Sequence, residues 1–219
     1  AAERLITSDK VAGIMGADCS GVTTAIANNV GVPNGVTMIS PSATSPALST
    51  IADNGYFFRT APSDARQGQL LAEIVLERGF NDVAVTFINN DYGKGLSDSF
   101  INAYKGLGGK VSAAVPHETD KADYSAEVAA LNASGSSILA VFGYLNQGGN
   151  HIIQSSLDSG AFDKFILADG MFGDDLLKNI DGDLSGTFGT VPGTDSKGAA
   201  SFAEMATGAG IKGGGPYTG

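Results

Sequence analysis

Short apolar runs alternate with helix-periodic segments along almost the whole chain, and this alternation limits the fold more than any other feature of the sequence. Ala1 to Ser8 reads as the last turns of a helix, and Val11 to Met15, bounded by glycines, as a buried strand. Ser20 then suits the N-cap of a helix carrying Val22, Ala25, Ile26 and Val30. Val36 to Ile39 predicts a second strand, a short helical piece surrounds Leu48, and Tyr56 to Arg59 predicts a third strand. Beyond Pro62 the pattern restarts with a helix over Ala65 to Arg78, placing Leu70, Leu71, Ile74 and Val75 on one face. Strand Val83 to Ile88 precedes a helix with Leu96, Phe100, Ala103, Tyr104 and Leu107 that stops at Gly108-Gly109. Strands at Lys110 to Val115, Ile138 to Phe142 and Phe165 to Ala168 alternate with helices at Tyr124 to Leu131 and Asn150 to Leu157. A weaker pair closes the series, helix Asp174 to Ile180 and strand Thr187 to Val191. Parallel neighbours need a crossover element, so strands separated by helices imply parallel sheets with helices on both faces, an α/β fold.

At 219 residues the chain has room for one large domain or two small lobes. Acidic residues outnumber basic ones 23 to 13, and a surface with net charge −10 repels phosphate backbones and anionic lipid, so nucleic acid is not an expected partner. A hydrophobic share of 42% supports a proper core and excludes disorder. The uncharged stretch Gly21 to Ala52 is interrupted by Pro33, Pro41 and Pro46 and many hydroxyls, so it does not span a membrane. The single cysteine, Cys19, cannot form an internal disulfide and is expected to be a small buried thiol. The chain opens part-way along a helix and closes on the loop-like 213–219. The part before Pro62 supplies about three strands, where roughly five or six make a typical sheet. It is therefore expected to be the remnant of a larger lobe, an idea that an intact mass of the source protein equal to these 219 residues would sink.

In open α/β sheets ligands bind beyond the carboxyl ends of the strands, which directs attention to the turns at 17–21, 40–46, 89–95, 142–149 and Asp169-Gly170. Cys19-Ser20-Gly21 stands between a strand and a helix, where free N–H groups suit a carboxylate; Ser20 as a plain helix cap is the alternative. Ser42-Ala43-Thr44 offers a hydroxyl and main-chain groups in a loop stiffened by Pro41 and Pro46, and ordinary turn chemistry explains the same residues. Tyr92 and Tyr144, each just past a strand, can wall a small ligand or simply pack. Asp169 is an acid at the end of a buried strand and is the candidate for meeting a cation, with helix capping as its other reading. Gly93-Lys94-Gly95 only superficially resembles a dinucleotide fingerprint, because Asp98 occupies the third glycine position, and no Walker pattern occurs. His117 is placed in a polar loop with Pro116, Glu118 and Asp120, and His151 at a helix start; neither adjoins a hydrolase elbow or a zinc-binding pair. Asp181 to Gly186 begins like a calcium loop but has Pro192 at the twelfth position and reads as a turn.

Taken in order, these pieces resemble the leucine/isoleucine/valine-binding type of periplasmic substrate-binding proteins that serve ABC importers. The matching stretches are Val11 to Gly16 with Cys19-Ser20-Gly21, Met38 to Pro46, Phe58-Arg59-Thr60 with Pro62-Ser63-Asp64 and Gln67-Gly68, Asp91 to Gly95, and Gly143-Tyr144. The resemblance implies two Rossmann-like lobes closing on a ligand as a hinged clamp, with 1–61 and 193–219 as an incomplete lobe 1 and 62–192 as lobe 2. It implies that Ser20, Ser42, Ala43 and Thr44 hold the carboxylate and amino group of an amino acid. Tyr92 and Tyr144 would close from the other lobe, with Asp169 pairing the ammonium. Leucine-binding members carry glutamate there, one methylene longer. In some members the counterpart of Cys19 is disulfide-bonded to an upstream cysteine. The resemblance further implies an exported, periplasmic or extracellular protein with no cofactor, no metal, no catalysis and no membrane insertion, whose partners are a small amino acid, branched-chain or otherwise aliphatic, and an ABC permease. A sensory domain of the same fold binding an amide or aromatic acid, and a nucleotide-using Rossmann-type enzyme, are the alternatives.

Overall fold

A computed structural model describes residues 1–193 and 197–211. The chain divides into two compact units, Ala1–Thr44 with Thr50–Pro62 and Val191–Gly219, and Ser45–Ser49 with Ser63–Thr190. The first unit carries α1 (Ala2–Thr7), β1 (Gly13–Met15), α2 (Ser20–Ile26), β2 (Thr37–Ser40) and β3 (Phe57–Arg59). Its three strands form a parallel sheet in the order β1-β2-β3, with Met15 beside Ile39 and Ile39 beside Phe58. Side chains alternate across a strand, so Met38 and Phe57 turn to the buried face.

The second unit holds α3 (Asp64–Glu77), β4 (Asp82–Ile88), α4 (Asp91–Gly106), β5 (Lys110–His117), α5 (Ser125–Asn132), β6 (Leu139–Phe142), α6 (Asn150–Ser159), β7 (Phe165–Leu167), α7 (Asp174–Asn179) and β8 (Phe188–Gly189). Its strands are all parallel, in the order β5-β4-β6-β7-β8. The period of two divides the core cleanly. Val83, Val85, Ala140 and Phe142 meet Leu71, Val75, Leu96, Phe100 and Tyr104 of α3 and α4. Ala84, Leu139, Val141 and Phe165 meet Val128 and Leu131 of α5 and Ile152 and Ile153 of α6 on the other face. Burial on both faces is why these strands read as unbroken apolar runs. The order of winding reverses at β4, since β5 lies on one side of it and β6 on the other, and such a switch point is where open α/β sheets place ligands, beyond the carboxyl ends of the strands.

Helix α3 lies close against α4 at Gly68, where a Cβ would stand 2.7 Å from the backbone nitrogen of Phe100. Alanine ordinarily gains up to about 1 kcal/mol over glycine inside a helix, but overpacking costs ~1–3 kcal/mol. Gly68→Ala is therefore expected to lower the unfolding free energy by about 1 kcal/mol, and a urea titration showing a gain would contradict this packing.

Several expectations are corrected. β1 is not a buried strand: Met15 is 88% exposed, and it forms a solvent-facing row with Ile39 at 44% and Phe58 at 53%. Ser20 is not the N-cap of α2; Cys19 takes that position, and Ser20 is the buried first residue of the helix. The face that α2 and its continuation turn inward is Thr23, Ala27 and Gly31, small residues at a spacing of four, with Val22 and Ala25 outside. Gly31 lies against Met38, whose sulfur would be 2.4 Å from a Cβ there, so small side chains let this segment settle on the sheet. Cys19 is exposed rather than buried. His117 ends strand β5 and is buried, not part of a polar loop. A further helix, α8 (Lys197–Gly208), follows the last strand and was not expected. The closing loop expected over 213–219 lies outside the described residues.

Candidate functional site

In the first unit the turns after β1 and β2 are joined by side-chain hydrogen bonds. The hydroxyl of Ser40 donates to the carbonyl of Ala17 at 2.6 Å, and that of Thr23 donates toward the carbonyls of Ala17 and Cys19 at 3.2 and 3.0 Å. Ser40 also accepts from the amides of Ala43 at 3.0 Å and Ser42 at 3.4 Å, which curls the 40–44 loop back on its own strand. Arg59 fixes the far side, its guanidinium donating to the carbonyl of Ala43 at 3.1 Å. Ser20, Ala43 and Thr44 are buried within this arrangement. Ser42 donates its hydroxyl to the main-chain carbonyl of Asp18 at 3.1 Å and to the Asp18 carboxylate. Ser20, Ser42, Ala43 and Thr44 therefore belong to one stitched pair of turns. Ser40, Thr23 and Asp18 complete it and were not singled out from the sequence. Asp18 also raises the pKa of the Cys19 thiol, after partial burial as the larger cause, so this cysteine is a poor nucleophile at neutral pH.

The second unit brings Tyr92, Tyr144 and Asp169 together at the carboxyl ends of β4, β6 and β7. Tyr92 stands in the first turn of α4, whose N-cap Asn90 accepts from the amide of Gly93 at 3.0 Å. Its ring stacks on that of Tyr144 with centroids 4.8 Å apart and planes inclined by 20°. Its hydroxyl donates to Oδ1 of Asp169 at 3.0 Å and accepts from the amide of Gly170 at 3.1 Å. Burial raises the Tyr92 phenol well above its ordinary pKa, with the charges of Asp169 and Asp64 adding to the effect, so it remains a proton donor throughout the neutral range. Asp169 is only 7% exposed, and Tyr144 is half-buried.

Glycines make this cluster possible. A Cβ on Gly170 would lie 2.3 Å from the carbonyl of Gly143, 2.9 Å from the Tyr92 hydroxyl and 3.0 Å from the Tyr144 ring. The Gly93-x-Gly95 pair has a packing role: a Cβ on Gly93 would meet the carbonyl of Ile88 at 2.2 Å, and one on Gly95 would meet Pro46 at 2.8 Å. Sequence reasoning missed the role of Gly170 because close approach leaves no signal beyond the residue type. Among the described residues no group of three or more metal-ligating side chains occurs, and no helix is long and apolar enough to cross a membrane.

A chain with two parallel sheets flanked by helices in this arrangement has the type I periplasmic binding fold. It belongs to the family of receptor ligand-binding regions, whose pattern it matches over residues 1–209. A Leu/Ile/Val-binding protein homolog 1 of Brucella melitensis is 30% identical over 202 residues, covering 90% of this chain and 53% of the relative. The chain spans about half the length of the curated relatives it matches. Among solved structures, the leucine-binding protein LivK of Thermotoga maritima shares the fold with a TM-score of 0.82 at 23% identity, over 99% of this chain and 62% of that one. A solute-binding protein of an ABC transporter from R. palustris, in complex with 4-hydroxybenzoate, reaches a TM-score of 0.69 at 20% identity, over 77% of this chain and 46% of that one.

Proposed function

We propose that this chain is part of an extracytoplasmic solute-binding protein that captures a small amino acid for an ABC importer, without catalysis. The turns at 17–21 and 40–46 take the carboxylate end of the ligand, Asp169 takes its ammonium, and Tyr144 covers its apolar part. The observation that carries this reading is the buried Asp169 carboxylate, held by a phenol at the carboxyl end of a central parallel strand. A carboxylate oriented by a phenol at the end of a buried strand is chemically matched to an ammonium through charge-assisted hydrogen bonds. The names of the Brucella and Thermotoga relatives support the same ligand class. A zwitterion of about nine heavy atoms, each yielding somewhat under ~1.5 kcal/mol, can reach about −8 kcal/mol, or micromolar affinity.

The R. palustris complex favours a second reading, an aromatic carboxylate as ligand. Such a ligand lacks a cation for Asp169 and adds a second negative charge to the site. A sensory role in place of transport uses the same chemistry, and a membrane anchor on the complete gene product or a neighbouring permease gene separates the two.

The test is a thermal-shift screen of the complete protein with the twenty amino acids, their amides and aromatic carboxylates. At a hundred times its Kd a ligand stabilises by about 2.7 kcal/mol, which for a chain of about 200 residues corresponds to roughly 5 °C or more and for a longer one to somewhat less. Aliphatic amino acids are expected to give the largest shifts. A larger shift with 4-hydroxybenzoate than with any amino acid would reject the proposal.

A further inference from the structure

Tyr92 and Tyr144 are expected from the sequence to play the same part, two rings lining a ligand. Their surroundings separate them. Tyr92 is 2% exposed, its ring face is covered by Tyr144, and its hydroxyl is engaged on both sides, donating to Asp169 and accepting from the amide of Gly170. Tyr144 retains partial exposure.

Building on the amino-acid reading above, we infer that Tyr92 is a positioning residue: it fixes the Asp169 carboxylate in the orientation that meets the ligand ammonium and does not bind the ligand by its own hydroxyl. The two hydrogen bonds form a closed link. The phenol oxygen receives the amide hydrogen of the residue that follows Asp169 and passes its own hydrogen to the Asp169 side chain, so main chain and carboxylate of the turn are pinned to one atom. Aspartate has few rotatable bonds, and pinning Oδ1 removes most of the remaining freedom. Because burial keeps the phenol protonated, the donor direction does not reverse at neutral pH. The strand ends set the distance: β4 delivers Tyr92 through α4, and β7 delivers Asp169, two strands away across β6. Gly170 must be glycine for the phenol to reach its amide, since a Cβ there would stand 2.9 Å from the hydroxyl.

The test uses Tyr92→Phe, which keeps the stacked ring and removes only the hydroxyl, alone and combined with Asp169→Asn, in the complete protein. The calorimetric probe is L-leucine. Tyr92→Phe is expected to weaken L-leucine about tenfold when Asp169 is present, in keeping with loss of a charge-assisted hydrogen bond. It should change affinity by less than about twofold in the Asp169→Asn background, because the group it positions no longer carries the charge. Equal losses in both backgrounds would overturn the inference and make Tyr92 a ligand contact in its own right. A second readout needs no ligand: hydrogen exchange of the Gly170 amide should accelerate about tenfold in Tyr92→Phe, and unchanged exchange would also overturn it. Should the wild-type protein bind no amino acid at all, the amino-acid reading fails while the exchange measurement still decides the role of the phenol.

Discussion

Asp169→Asn is expected to weaken L-leucine binding by the complete protein about a hundredfold while leaving its unfolding free energy nearly unchanged. The substitution is close to isosteric, and the amide oxygen can still accept from the Tyr92 hydroxyl that now donates to Oδ1 at 3.0 Å. What it removes is the negative charge. A hydrogen-bonded charge pair taken out of water contributes more than its exposed counterpart, and losing one partner of such a pair costs ~2–5 kcal/mol. Taking about 2.7 kcal/mol from the lower part of that range gives two powers of ten. The companion probe is 4-methylpentanoate, which has the carbon skeleton and carboxylate of leucine but no ammonium. The substitution should leave its binding unchanged or strengthen it, since the charge opposite the missing ammonium is gone. Unchanged affinity for L-leucine in titration calorimetry would reject the role assigned to Asp169. Equal losses for both probes would show a distorted site and not a missing charge.

The sequence made the second unit legible and the first much less so, for a physical reason. Strands such as Asp82–Ile88 and Leu139–Phe142 are buried on both faces, so their apolar runs and the glycine and asparagine at their ends are visible in one dimension. Met15, Ile39 and Phe58 are equally apolar, yet they form an exposed row, and a hydropathy pattern cannot distinguish an apolar residue that is covered from one that is not. In α2 the buried positions are Thr23, Ala27 and Gly31, residues chosen for size, and a search for large aliphatics selects the opposite face. The candidate site shows the same division. Its turns follow from the alternation of elements, and Asp169 and Tyr92 are conspicuous as polar residues at strand ends. Their direct hydrogen bond joins residues 77 positions apart, and nothing local in the sequence records it. Ser42 illustrates the converse, since its hydroxyl is taken by Asp18, an acid that looks like an ordinary turn residue.

His117 supplies the other large effect, a loss of stability in mild acid. It stands at the end of β5 behind Gly143, where a Cβ would lie 2.9 Å from Nε2, and its Nδ1 is 2.9 Å from the hydroxyl of Thr86. That hydroxyl donates to the carbonyl of Val115 at 2.9 Å, so it accepts from the ring, and the proton of neutral His117 belongs on Nδ1. Nε2 is then a buried acceptor without a hydrogen-bond partner among the described residues. Burial lowers the pKa from 6.5 to about 4, against the opposing pull of Glu127 and Glu118. In the unfolded chain the ring charges near 6.5, so between that pH and about 4 the unfolded state binds more protons than the folded one. Stability therefore falls as pH falls through this window and is fully restored above it. From pH 7.5 to 4.5 the single group accounts for a loss of about 2.5 kcal/mol. Urea titrations at the two pH values, on the wild type and on His117→Gln, separate it from the carboxylates, which titrate alike in both proteins. The glutamine variant is expected to lose about 2.5 kcal/mol less than the wild type over the same interval. Equal losses would mean that the ring charges in the folded state without penalty. Gly143 packs on the His117 ring and immediately precedes Tyr144, and its carbonyl faces Gly170, so a ring forced to charge would disturb the turn beside Asp169. Acid release of an amino-acid ligand should accordingly begin below about pH 5, before the protein unfolds, and should move to lower pH in His117→Gln.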